Sequence, residues 1–344
     1  MTYMHSSKYG VLACTDTGAP VGSLDYTTIV LIHGFAWHGG IFQHMSPFAE
    51  QYNARLIFVN RRDYPDSDPY DTDDHKLLEP SGEDTAQNVR AFMNQRAVEL
   101  VDFLQFLVED LNLPQAKAGS GGIVLTGWSC SGVFITAVLA HLQTMPHQYD
   151  NLRRYLRRAV LYDVPYHVLG YSPPSVSYHP MTDPSLSALE RLQAFAAWVS
   201  GYFNHGRSGN SLELKQPLLD PQPTILSMSD AEQQSCLHLG PGAPGGSDLM
   251  LMTEGARHGV FALLKEDALY LKPELGNDGD PVEELEVVYL WCDQSVWEMP
   301  WGARALQSEL GDARKLRKPT RNIKAHWDQP ERVLRALLTD SNLV

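Results

Sequence analysis

Gly127-Trp128-Ser129-Cys130-Ser131-Gly132 lies between two apolar runs, Ile123-Val124-Leu125 before it and Val133-Phe134-Ile135-Thr136-Ala137-Val138-Leu139-Ala140 after it. A buried strand, a tight turn of small residues with a serine at its tip, and then an apolar helix are the layout of a nucleophile elbow. Such a turn holds the serine hydroxyl above a sheet edge and aims the N-terminus of the following helix at it. Backbone N–H groups there can stabilise a developing negative charge. On this reading Ser129 is the centre of a site. A hydroxyl that merely caps the following helix is the competing reading, and serine at the tip of the turn fits it less well.

The same rhythm extends outward. Thr28-Ile29-Val30-Leu31-Ile32 reads as a buried strand running into His33-Gly34-Phe35, and Ala54-Arg55-Leu56-Ile57-Phe58-Val59 as the next, ending in Asn60-Arg61-Arg62-Asp63-Tyr64-Pro65. Between 88 and 111, apolar residues recur at helical spacing (Val89, Phe92, Met93, Ala97, Leu100, Val101, Leu104). Ala159-Val160-Leu161-Tyr162 and the stretch 285–291 read as further strands, and 329–338 as a closing helix. Residues 1–27 read as a strand pair turning through the glycine-containing segment 15–20. Alternating strands and helices imply an α/β chain whose mostly parallel sheet is covered on both faces. From 165 to 281 Pro- and Gly-rich pieces break the pattern and bracket helical segments. The expected division is a core of 1–164 and 282–344, with 165–281 inserted as a mainly helical lid.

Bulk properties narrow the function classes. A chain of 344 residues can bury a substantial core, and 43% apolar with 20% charged residues argues against disorder. The formal charge of −14 disfavours nucleic acid or an anionic membrane as partner. Cys14, Cys130, Cys236 and Cys292 form no CxxC pair and no cluster with histidine, which fits reduced thiols. With no signal-like N-terminus and no run of membrane-spanning length, a soluble cytoplasmic protein is expected. No metal or organic cofactor is implied. Asp71, Asp73, Asp74 and His75 lack EF-hand spacing and read as a solvated loop. Gly121-Gly122 and the glycines of 240–246 are not phosphate loops, because no Lys-Ser/Thr follows.

These pieces, in this order, resemble the α/β-hydrolase family over nearly the whole chain. The Asn60–Pro65 motif quoted above and Trp327-Asp328-Gln329-Pro330-Glu331 are most similar to a branch common in fungi and often found in natural-product pathways. The resemblance implies an α/β-hydrolase fold, Ser129 at the nucleophile position, and the backbone N–H groups of Phe35 and Cys130 at the oxyanion-hole positions. Ser131 stands where the family usually has glycine. The family's acid, after the penultimate strand, overlays on Ser295 rather than Asp293. Serine cannot carry the charge that steadies an imidazolium. Asp163, directly after the strand 159–162, is the favoured substitute, and Asp293 the other. The family's base, counted back from Asp328, falls on Ile323, which cannot take a proton. His326 lies three residues further on, where relatives carry a second histidine at the start of the last helix.

Other residues enter as pocket candidates. His33 is expected to fix the oxyanion loop. His38 and His167 are polar groups near the expected cleft, Trp128 precedes the nucleophile, and Trp198 and Tyr202 would line an apolar chamber in the lid unless they are plain core.

Three functions remain open. The first is an enzyme with a degenerate triad that polarises the carbonyl of a medium-sized apolar, natural-product-like small molecule for cyclisation, condensation, isomerisation or C–C cleavage. Such polarisation needs no general base. The second is an ester, lactone or thioester hydrolase with a relocated triad of Ser129, His326 and Asp163 or Asp293. The third is a ligand-binding protein without chemistry. The oligomeric state is left open, a homodimer among the options.

Overall fold

A computed structural model describes residues 2–144, 149–206, 211–270, 285–311 and 326–339. Ile323, the aliphatic residue at the expected base position, lies outside the described residues. Seven strands form one sheet in the order β1-β2-β4-β3-β5-β6-β7. They are β1 (Thr2–Ser7), β2 (Gly10–Asp16), β3 (Thr27–Ile32), β4 (Ala54–Asn60), β5 (Ile123–Trp128), β6 (Leu156–Tyr162) and β7 (Glu286–Leu290). β3 to β7 run parallel, and β1 and β2 close one edge as an antiparallel pair. The hairpin turns at Lys8-Tyr9, between Ser7 and Gly10, rather than through 15–20.

The strands are apolar in continuous runs because both faces are covered. In β3, Val30 and Ile32 face one core while Ile29 and Leu31 face the other; β4 divides Ile57 and Val59 from Leu56 and Phe58 in the same way. This period of two places alternate side chains on opposite faces. The first core is roofed by the helices Thr85–Asp110, Gly132–Thr144 and Val260–Leu269. The second is roofed by Pro330–Leu338 and a 3-10 segment, Gly39–Phe48. Within the stretch assigned to a lid, the helices Ser247–Arg257 and Val260–Leu269 contribute Leu251, Val260, Phe261 and Leu264 to the first core. They therefore belong to the layer covering the sheet.

The acidic run at 71–75 is no loop. Asp71 accepts from the backbone N–H groups of Asp73 and Asp74, and Asp74 completes a capping box at the start of the helix Thr72–Leu78. Asp74 is also buried against the guanidinium groups of Arg62 and Arg96, at 3.7 and 3.2 Å. Among the described residues no three His, Cys, Asp or Glu side chains gather as a metal site, and no helix is long and apolar enough to cross a membrane.

Backbone geometry concentrates at the C-terminal ends of the parallel strands. Ala36 after β3, Asp63 after β4, Ser129 after β5 and Asp163 after β6 have φ of 64°, 67°, 55° and 48°. Left-handed backbone in residues with a Cβ carries strain that tends to collect at functional sites. The elbow is crowded as well as strained. A Cβ on Gly127 would lie 2.4 Å from Ile135 Cγ1 and 2.5 Å from the Ser131 carbonyl oxygen. Gly127→Ala is therefore expected to destabilise the protein by about 1–3 kcal/mol, read as a lowered urea midpoint. An unchanged midpoint would show that the turn can relax.

Candidate active site

Ser129 follows β5 directly and begins a 3-10 turn, Ser129–Ser131, that leads into the helix Gly132–Thr144. Gly132 packs closely, since a Cβ there would lie 2.8 Å from both methyl groups of Val164. The first N–H groups of such a turn have no partner within it, and the Cys130 N–H is one of them. Among the described residues no hydrogen bond uses the Phe35 N–H or the Ser129 hydroxyl. Ser131, the departure from the family's glycine, ties the elbow to the oxyanion loop, because its hydroxyl donates to the His33 carbonyl.

That loop is held from beneath by a buried polar network. His33 Nε2 accepts from the Arg61 backbone N–H at 3.1 Å, so Nδ1 carries the proton and donates to the Gly34 carbonyl at 2.9 Å. Burial lowers the His33 pKa well below its ordinary value and keeps the ring neutral. The Arg61 guanidinium forks onto both oxygens of Asp248 at 2.6 Å each and also donates to the Gly34 carbonyl. The Tyr64 hydroxyl donates to Asp248 at 2.7 Å and accepts from the Ala36 N–H at 3.0 Å. The structural role expected of His33 matches this geometry. In the sequence Arg61 and Tyr64 stand out only as pieces of a motif. Asp248 carries no local signal, because its partners are 187 and 184 positions away.

Asp163 and His326 come together in a second group. They line one cavity of about 70 Å³ with Trp128, Tyr202, Cys292 and Ser295, among others. This is well below the few hundred Å³ of a typical ligand pocket. One Asp163 oxygen accepts from the Cys292 N–H at 2.9 Å and the other from Ser295 Oγ at 2.7 Å. The aspartate after β6 thus reaches the serine that occupies the acid's expected place after β7. Burial raises the Asp163 carboxyl to about 6, against the two hydrogen bonds that favour its charge.

His326 is buried between aromatic rings, with centroids 4.4 Å from Trp128 and 4.8 Å from Phe42. Its Nδ1 lies 3.4 Å from the Tyr162 hydroxyl. Burial lowers its pKa to about 3, the nearby His44 adding to the effect. Among the described residues no hydrogen bond joins His326 to Ser129 or to Asp163, and Ser129 does not line the cavity that holds the other two.

The remaining candidates fall elsewhere. Asp293 is half-buried near His205 and Arg332 and is not among the residues lining that cavity. His38 caps the Gly39–Phe48 segment, its Nδ1 accepting from the Gly40 N–H at 3.3 Å. Trp198 is core, packed with Phe203 and Trp297 and donating through Nε1 to the Leu214 carbonyl. Tyr202 does line the cavity, and with Thr224 it donates to Asp328 at the start of the last helix. Cys130 is buried and its thiol is pushed up to about 12; Cys292 is likewise raised by burial. Neither thiol is a nucleophile at neutral pH.

No family model and no curated protein matches this sequence. Solved structures do match. A protein assigned as an aryl esterase from Burkholderia cenocepacia is 17% identical, with 98% of this chain and 97% of that chain covered and a TM-score of 0.50. A variant of AqdC, solved with its substrate, the Pseudomonas quinolone signal whose ring it cleaves, is 13% identical over 98% and 99%, with a TM-score of 0.52. A proline iminopeptidase-related protein from Thermus thermophilus is 16% identical over 98% and 96%, with a TM-score of 0.50. Together with the strand order and the elbow, these likenesses establish the α/β-hydrolase fold.

Two outcomes are expected. Asp248→Ala strands the buried Arg61 charge and should cost about 3–5 kcal/mol in urea unfolding; a loss under about 1 kcal/mol would mean that water solvates Arg61. For His326, the unfolded ring binds a proton below its ordinary 6.5 while the folded ring does so only near 3. The stability contributed by the neutral ring is complete above pH 6.5 and is lost as pH falls toward 3. Between pH 7 and pH 5 the urea midpoint should therefore fall further in the native protein than in His326→Phe. Equal falls would contradict a ring held neutral.

Proposed function

We propose that the protein is an α/β-hydrolase-fold enzyme with a degenerate triad. In this reading the Ser129 hydroxyl and the N–H groups of Phe35 and Cys130 hold and polarise a substrate carbonyl. The step that follows is non-hydrolytic: a cyclisation, condensation, isomerisation or carbon–carbon cleavage. The observation that supports this reading is that, among the described residues, no hydrogen bond links Ser129, His326 and Asp163 into a relay. His326 turns its Nδ1 toward Tyr162, Asp163 is engaged by Ser295 and the Cys292 N–H, and Ser129 bonds to neither. A serine without a base is a hydrogen-bond donor rather than a nucleophile. Stabilising an enolate-like oxygen requires only donors already aimed at it.

The substrate class follows from the surroundings. A medium-sized, largely apolar molecule of natural-product type suits the aromatic surroundings of the elbow, where Trp128, the residue before Ser129, lines the neighbouring cavity with Trp37, Val199 and Trp327. In this reading the part of the insertion that carries Tyr202 and Thr224, both of which donate to Asp328, serves as the lid over that site. Ring cleavage by the AqdC variant is an instance of such chemistry on this fold. Asp163 reaching the acid's place favours the alternative, a relocated hydrolytic triad.

A fluorophosphonate probe separates the two readings without knowledge of the substrate. Incubated with the intact protein across pH 6 to pH 9 and followed by mass spectrometry, it is expected to leave Ser129 unlabelled. Stoichiometric labelling at Ser129 would overturn the proposal in favour of an ester hydrolase. With the true substrate, Ser129→Ala should lose about 10²–10³ in rate, the worth of one polarising donor, rather than all activity.

A further inference from the structure

A second cavity, of about 560 Å³, shares no lining residue with the first. Its walls include Tyr166, His167, Tyr178, His179, Trp297 and Glu298. Glu298 is 7% exposed, opens the helix Glu298–Leu310, and its carboxylate makes no hydrogen bond or ion pair among the described residues. Its oxygens are not sealed off either, since they are absent from the wholly enclosed polar atoms that lack partners. Tyr166 and Trp297 stack on each other at 5.3 Å. We propose that this cavity binds a small organic ammonium ion, with the Glu298 carboxylate as its counter-charge and the Tyr166, Tyr178 and Trp297 rings as its wall.

The physical case rests on what such a group lacks. A buried carboxyl without a partner ionises only at a cost, and a cation beside aromatic rings offsets that cost while gaining attraction from the ring faces. The same wall already holds one ammonium: Lys215 Nζ sits 4.7 Å from the centre of the Tyr178 ring and 3.7 Å from Asp183. That lysine is half exposed and neutralised by Asp183, so Glu298 is left without a cation of its own. The other titratable groups facing the cavity are Tyr166, His167, Tyr178 and His179. Burial lowers both imidazoles to about 4, so neither repels a cation at neutral pH. Nδ1 of His179 accepts from the Met181 N–H at 3.2 Å, which leaves the proton on Nε2.

Burial also raises the Glu298 carboxyl to about 8, so the empty site keeps its proton at neutral pH. A permanent cation must displace that proton. Its affinity should follow the ionised fraction, which rises from roughly a tenth at pH 7 to roughly nine tenths at pH 9 and tightens binding about tenfold. Isothermal titration calorimetry of the full chain with benzyltrimethylammonium, against neutral 2-phenylethanol, tests this. The expected result is saturable one-to-one binding of the cation, about tenfold tighter at pH 9 than at pH 7, and lost in Glu298→Gln. Absence of saturable cation binding at both pH values, equal binding of 2-phenylethanol, or unchanged affinity in Glu298→Gln would overturn it. The pH dependence of the native protein keeps the test decisive should the variant fail to fold. No turnover is measured, so labelling of Ser129 would leave this result untouched.

Discussion

The buried fork between Arg61 and Asp248 is the constraint on which the site depends. Arg61 stands just past the end of β4 and Asp248 in the first turn of the helix Ser247–Arg257, where a negative charge also meets the positive end of the helix dipole. The pair draws that helix onto the sheet and, through Tyr64 and the Gly34 carbonyl, holds the chain after β3 in its left-handed kink at Ala36. Desolvating two charges makes such a pair a weak source of net stability. Its bidentate geometry gives it directional specificity instead. The loop that carries Phe35 thus has a rigid truss under it and no need of a bound ligand to shape it.

The strained strand ends follow from the same arrangement. Four non-glycine residues with positive φ stand past the C-terminal ends of four neighbouring strands. At Gly127 and Gly132 there is no room for a side chain, which forces the turn that lifts Ser129. At Asp163 the kink sends the carboxylate sideways to Ser295 and the Cys292 N–H. The strand-to-helix turn at Ser129 is formed, and among the described residues no hydrogen bond joins Ser129 to His326 or Asp163. A carboxyl raised to about 6 and an imidazole lowered to about 3 are both displaced toward their neutral forms by burial.

What the sequence determined by itself is what local pattern encodes. The apolar runs of β3 to β7 announce a sheet covered on both faces, the spacing of Val89, Phe92, Met93 and Leu100 a helix, and the small residues around Ser129 an elbow. Each depends on side chains a few positions apart, so each is legible in one dimension. The hairpin at Lys8-Tyr9 and the cap at Asp71 are not legible in the same way, because turn chemistry tolerates several registers and an aspartate run can be a loop or a helix start. The tertiary structure alone decided which distant groups meet. Asp248 finds Arg61, Asp163 finds Ser295, and Tyr202 and Thr224 find Asp328, while the Glu298 carboxylate finds no partner among the described residues. Those pairings, and the burial that shifts each group's proton affinity, arise only when strands far apart in the chain are laid side by side. No spacing in the sequence records them.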